Sequence, residues 1–272
     1  MKSPLVNLHN RSTWSLVLAT IVGLIAFLYP FVLPGIEQIT DDSAANSSGA
    51  PLLFAAVVVV ILVVTLASLA DDAVGVDRSR TVALLGVLVA IDASLRLVPS
   101  VAGASTVFLM IMLVGAVFGP SMGFQMGTLT LLVSAFITGG IGPWLPFQML
   151  ACGWVGMTAG FLPRHESLRR RVIDLAIFGA IWGLLFGALM NLWFWPFTAP
   201  GVDADSALYW HADLTLIETI ERYGQFYVVT SLPFDVFRSI GNVVLILLLG
   251  APILKLLERY RTRFRWQPWQ SA

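Results

Sequence analysis

Residues 52–69 read LLFAAVVVVILVVTLASL, a run without one charged side chain. A helix that crosses a bilayer needs about 20 consecutive, mostly apolar residues. Runs of this kind recur along the chain and predict eight helices, at Trp14–Leu33, Leu52–Leu69, Thr81–Val98, Thr106–Phe118, Met122–Ile137, Phe147–Leu162, Val172–Trp195 and Pro233–Glu258. The composition agrees: 57% of the 272 residues are hydrophobic and 12% are charged, roughly half the charge of a soluble fold. The expected fold class is an all-α integral membrane protein.

Lysine and arginine in the connecting segments set the orientation. One side of the expected bundle holds Lys2, Arg11, Arg78, Arg80, Arg164, Arg169, Arg170, Arg171, Lys255, Arg259, Arg261, Arg263 and Arg265, whereas the other holds only Arg222. Eight helices with both termini in the cytoplasm satisfy that split. The external segments are acidic instead, with Glu37, Asp41, Asp42, Asp203, Asp205, Asp213, Glu218 and Glu221. The first apolar run is too long for a signal-peptide core and no A-x-A site follows it, so it is read as a retained helix. The expected location is the cytoplasmic membrane.

The polar stretch DDAVGVDRSR, residues 71–80, divides the chain. Residues 1–70 read as a two-helix transmembrane hairpin and 71–80 as a cytoplasmic linker. Residues 81–258 read as a six-helix substrate-binding core, and 259–272 as a basic tail.

Several chemistries are excluded. No Walker A motif exists, and Lys2 and Lys255, the only lysines, follow no glycine-rich loop. His9, His165 and His211 all fall outside the expected spans, and no G-x-S-x-G elbow is present. The single cysteine, Cys152, allows neither an internal disulfide nor a multi-cysteine metal site. No catalytic residue, metal or cofactor is expected, and no basic patch with interleaved aromatics points to nucleic acid.

Charges within a membrane are costly and mark candidate sites. Asp92 and Arg96 lie four apart near the outer end of the third helix; Asp235 and Arg238 lie three apart at the outer start of the last. Both spacings put each pair on one helix face. Asn191 and Gln148 come to the same depth from two other helices, so the polar groups outline a cavity open to the outside. Mutual neutralisation within each pair is the plainer alternative. The third helix also carries Ala83, Gly86, Ala90 and Ala93, a small-residue stripe for close helix approach within the chain or from another subunit.

The outer loop GGIGPWLPFQM, residues 139–149, combines glycines that permit unusual backbone geometry with prolines that stiffen it. It reads as a platform of Trp144, Pro146 and Phe147 beside Gln148, suited to stacking a ring-shaped solute. The 196–232 segment is long, acidic and aromatic, and reads as an ordered lid or an interfacial aromatic belt.

The stretch GFQMGTLTLLVSAFITGGIGPWLPFQMLACGWVGMTAGFLP, residues 123–163, resembles the substrate-specific (S) components of energy-coupling factor (ECF) vitamin transporters. Its loop looks like the G-P-W-x-P-[FW]-Q-M stretch of members assigned to cobalamin or related compounds. The resemblance spans Thr81–Leu162 closely and residues 172–258 only in topology. It implies a vitamin-binding subunit, not an enzyme, served by a separate transmembrane coupling protein and two ATPases. It also assigns the small-residue stripe to the coupling protein, with Gly86-x-x-x-Ala90 standing where the family often has A-x-x-x-A. Two other readings stay open: a structural or regulatory subunit that binds no solute, and a self-contained ion-coupled carrier using Asp92 or Asp235.

Overall fold

The structure is a computed structural model and describes residues 11–40, 50–71, 76–100, 104–195, 208–210 and 214–263. Expectations that rest on residues 1–10, 41–49, 72–75, 101–103, 196–207, 211–213 or 264–272, including those for Asp203, Asp205 and Asp213, lie outside them. Among the described residues there are nine helices: α1 (Arg11–Thr40), α2 (Ala50–Asp71), α3 (Val76–Leu95), α4 (Val107–Phe118), α5 (Pro120–Thr138), α6 (Leu145–Ala159), α7 (Leu168–Phe194), α8 (Leu216–Thr230) and α9 (Leu232–Arg263). Three of these are long and apolar enough to cross a membrane, over Pro120–Thr138, Leu168–Phe194 and Leu232–Thr262. Shorter apolar segments run through Thr13–Leu28, Ala55–Ala67 and Val107–Phe118. Each of the eight expected spans falls on an observed helix, with ends displaced by a few residues. In particular, α3 begins at Val76, inside the stretch read as a linker.

The ninth helix, α8, lies within the segment read as a loop. Thr215 and Glu218 form a reciprocal capping box that satisfies the first free N–H groups of the helix. Its inward face presents Thr219 and Phe226, both buried, while Ile217, Ile220 and Val228 stay exposed.

The short helix α4 is the axis of the bundle. Every residue from Val107 to Val117 is buried, and α4 packs against α3, α5, α6, α7 and α9. A 12-residue apolar helix suits such a place better than a lipid-facing one. Its carboxyl end is held by two arginines from distant segments. Arg164 and Arg261 both donate to the Val117 carbonyl, at 3.2 and 2.9 Å, a favourable use of cations at a helix C-terminus. Beside them Arg171 pairs with Glu258, and His165 lies 3.0 Å from Asp174. The basic residues of the α6–α7 loop and the end of α9 thus gather at one end of the bundle.

Two interfaces are built on glycine. Between α5 and α6 the backbones meet at Gly123, Gly127, Gly153 and Gly156, where an added Cβ would run into the opposite main chain or side chains. Along α7, Gly179, Gly183 and Gly187 recur every four residues and admit Asn242, Ser239 and Asp235 of α9.

The front hairpin packs on the rest of the chain. Phe27 of α1 meets Phe147 edge-on at 5.3 Å and Trp154 at 5.7 Å, and Phe31 meets Tyr223 of α8 at 5.9 Å. A Cβ at Gly23 would strike Leu150 and Trp154. Contacts of this type add about 0.5–1.5 kcal/mol per aromatic pair beyond the area they bury. The opposite face of the hairpin exposes Val57, Val60, Val63 and Val64, as a lipid-facing surface should.

Candidate functional site

The carboxyl ends of α3, α5 and α7 share one end of the bundle with the amino ends of α6 and α9. Loop 139–144 follows directly from α5. Gly139 ends that helix in the left-handed region, φ 67°, with its N–H bonded to the Ala135 carbonyl, a conformation that glycine adopts without a Cβ penalty. Gly140 donates to the same carbonyl at 3.0 Å. Gly142 has another role: the indole of Trp144 lies against it, where any side chain would collide.

Trp144 and Phe147 then part. Trp144 caps the start of α6 and is 41% exposed. Phe147 turns into the core, 1% exposed, between Phe27 and Trp193, whose ring lies 5.5 Å away. Pro146 is buried in the first turn of α6, and Gln148 is half-buried. The loop therefore offers one indole outward and anchors itself through the neighbouring phenyl.

Asp235 and Arg238 form an ion pair. Ser231 also donates to the Asp235 carboxylate at 2.9 Å, and the carboxylate sits against Gly187. Arg238 has two further partners, the Gly183 carbonyl at 3.2 Å and the face of Phe186 at 5.4 Å. Below them Ser239 donates to the Ala180 carbonyl at 2.8 Å, and Asn242 to that of Gly179 at 2.9 Å. These bonds explain the glycine spacing of α7, because only a bare backbone lets α9 reach those carbonyls. On the same helix, the Asn191 amide nitrogen is buried without a hydrogen bond.

Asp92 and Arg96 behave differently, although their spacing is similar. Arg96 reaches across to α5 and donates to Ser134 at 2.6 Å. Asp92 is fully buried, and neither carboxylate oxygen accepts a hydrogen bond. Thr130 of α5, buried and also without a hydrogen bond of ordinary geometry, is the hydroxyl that acts on it. Arg96, Asp92 and Arg238 all lie within electrostatic reach of Cys152, the buried thiol of α6. The charged groups of α3 and α9 thus gather around one thiol of α6, a polar layer within the bundle.

Helix α8 packs on α1, α7 and α9, beside the Asp235 end of this layer. Tyr223 donates to the Ala188 carbonyl at 2.5 Å, Trp195 donates to that of Leu208 at 2.9 Å, and the two rings lie 5.4 Å apart. Burial first, and then the Asp235 carboxylate, push the Tyr227 phenol up to about 12. Burial, Tyr227 and Asp235 likewise raise that of Tyr223. Both phenols stay neutral donors at physiological pH.

The small-residue stripe divides. Ala83, Gly86 and Ala90 are exposed, with nothing within 4 Å of a Cβ placed at Gly86. Ala93 is fully buried within the chain.

Sequence reasoning missed several members of this assembly. The G-x-x-x-G-x-x-x-G spacing of α7 was visible, as was the T-x-x-E signature before α8. Phe27, Phe31 and the Ser134 acceptor gave no signal of their own, because each acts through a partner far away in the chain.

A family model described as ECF transporter, substrate-specific component, matches residues 80–250, more than half of the chain. The hairpin α1–α2 lies before the matched region. No curated protein and no solved structure matches the chain.

Proposed function

The chain belongs to the ECF transporter substrate-specific component family, and from that premise we propose that it captures a ring-containing vitamin or vitamin precursor at the external face of the cytoplasmic membrane. Members of this family are the substrate-binding subunits of transporters rather than enzymes, and they work with ECF coupling and ATPase modules. For this chain the proposed partners are one transmembrane coupling protein and two ATPases. Both termini are proposed to be cytoplasmic, and the six helices within residues 81–258 to form the binding core.

The observation that carries the reading is the polar layer. Asp92 and Arg96 of α3 and Arg238 of α9 all stand within electrostatic reach of the Cys152 thiol of α6, and Asp235 pairs with Arg238. Ionisable groups at membrane depth are costly, and Asp92 has no ion-pair partner among the described residues that would account for it structurally. The proposed ligand contacts are those four residues with Asn191, and Trp144, Pro146, Phe147 and Gln148 of the loop. Trp144 is the stacking surface, and Phe147 holds the loop in place from below. The loop's likeness to members assigned to cobalamin makes cobalamin-like compounds one candidate, to be tried against smaller ring-containing vitamins. The exposed stripe of Ala83, Gly86 and Ala90 is proposed to receive the coupling protein, since no described residue covers it; Ala93 continues the stripe on the buried side.

Two measurements test this. Uptake of the bound vitamin by cells is expected to disappear when the coupling protein or the ATPases are deleted. Uptake that persists undiminished would favour a self-contained carrier. Trp144→Ala is expected to weaken binding by about tenfold, the scale of one lost aromatic contact, with little change in thermal midpoint because the indole is 41% exposed. Unchanged affinity would remove Trp144 from the site.

A further inference from the structure

We infer that the solute taken by this chain carries a positively charged nitrogen and that Asp92 is the side chain that recognises it; the inference rests on the substrate-binding role proposed above. Asp92 is fully buried, with no ion pair among the described residues and, apart from the nearby Thr130 hydroxyl, no side chain that addresses its oxygens. A carboxylate at membrane depth persists where an opposite charge or several donors compensate it. Each arginine of the polar layer is already engaged, Arg96 by Ser134 and Arg238 by Asp235. Asp235 shows how this chain neutralises a buried aspartate for structural ends: it supplies an arginine, a serine and a close glycine. Asp92 receives none of these. Its neighbour Thr130, on the facing helix, offers the carboxylate one neutral hydroxyl donor and no counter-charge.

A second, independent observation is the charge of α8, which packs beside Asp235 at the same end of the bundle. On α8, Glu218 and Glu221 are exposed. The one cation of the 196–232 segment, Arg222, is partly withdrawn to the Tyr209 carbonyl at 3.3 Å. A field of that sign concentrates cations at this end of the bundle and turns anions away. The partly exposed indole of Trp144 at the same end suits a cationic ring. The ligand class is a small ring compound with an ammonium, azolium or pyridinium nitrogen.

The test uses the full-length chain in lipid nanodiscs, titrated calorimetrically with three groups of probes. Thiamine and pyridoxamine are cationic; riboflavin, nicotinamide and cobalamin lack a cationic nitrogen; biotin and pantothenate are anionic. Binding is expected from a cationic probe alone. Asp92→Asn is expected to weaken it by about thirtyfold or more, as loss of one partner from a buried charge pair does, while Asp92→Glu retains part of the affinity. The thermal midpoint of unliganded Asp92→Asn should be no lower than that of the parent, whereas a purely structural aspartate would lower it. Binding by other probes alone, or an Asp92→Asn protein that titrates like the parent, overturns the inference and leaves the transport role standing. No binding by any probe overturns the inference as well. If uptake is then also independent of the coupling and ATPase subunits, the transport role falls with it.

Discussion

Gly127→Leu is expected to abolish recovery of folded protein from membranes, and Gly127→Ala to lower the thermal midpoint by several degrees. At Gly127 a Cβ would fall on the Cys152 carbonyl of α6, and the atoms in the way are backbone. A side chain could swing aside; a helix backbone moves only with the whole helix. The obstruction repeats one turn away, where Gly123 and Gly156 would each place a Cβ on the other's carbonyl. Gly115 of α4 closes on Gly156 too, so three helices depend on one narrow crossing. Inserting a single methylene into a tight core costs about 1–3 kcal/mol, and leucine inserts a branched side chain of four carbons. The comparison is Gly224→Ala on α8, where nothing lies within 4 Å of the new Cβ. There the exchange should stabilise by about 0.5–1 kcal/mol, through helix propensity alone. Thermal unfolding followed by fluorescence-detected gel filtration measures both. Equal midpoints for Gly127→Ala and the parent would show that α5 and α6 are not in close backbone contact.

The elements legible in the sequence were those whose signal is local. Eight apolar runs announce helices by length alone, and each meets one. Helix α8 escaped because its signal is weaker, a T-x-x-E cap followed by one apolar face within an acidic, aromatic stretch. The site was legible as a set of residues but not as a set of contacts. For Asp235 and Arg238 the spacing was enough, since both lie in the first turns of one helix and meet there. For Asp92 and Arg96 a similar spacing misleads, because Ser134, 38 positions on, offers the guanidinium a better-placed acceptor. Trp144 and Phe147 are three apart but straddle a loop–helix boundary, so helical periodicity does not relate them. The burial of Phe147 depends on Phe27, in a hairpin that the sequence presents as a separate piece.

Substituting Arg238 with alanine is expected to be about as damaging as any single change to the polar layer. Asp235 is fully buried, and removing its arginine leaves the charge with Ser231 and Tyr227 alone. Breaking a buried pair from one side costs about 3–5 kcal/mol, a large share of the 5–15 kcal/mol, roughly, that holds a folded chain together. The loss also releases the Gly183 carbonyl and the Phe186 face, so α7 and α9 separate where their glycine contact is closest. The double variant Asp235→Asn/Arg238→Met should recover much of that loss, because it removes the charge together with its partner. If the single and double variants unfold at the same temperature, the pair contributes nothing as a pair. The same chemical change should act in opposite directions at the two aspartates. Asp235→Asn lowers the midpoint, since it strips Arg238 of its counter-charge, whereas Asp92→Asn alters a carboxyl that has no ion-pair partner among the described residues. A shared direction would mean that the two carboxylates are held in the same way. The difference separates an aspartate that holds two helices together from one left available to a solute.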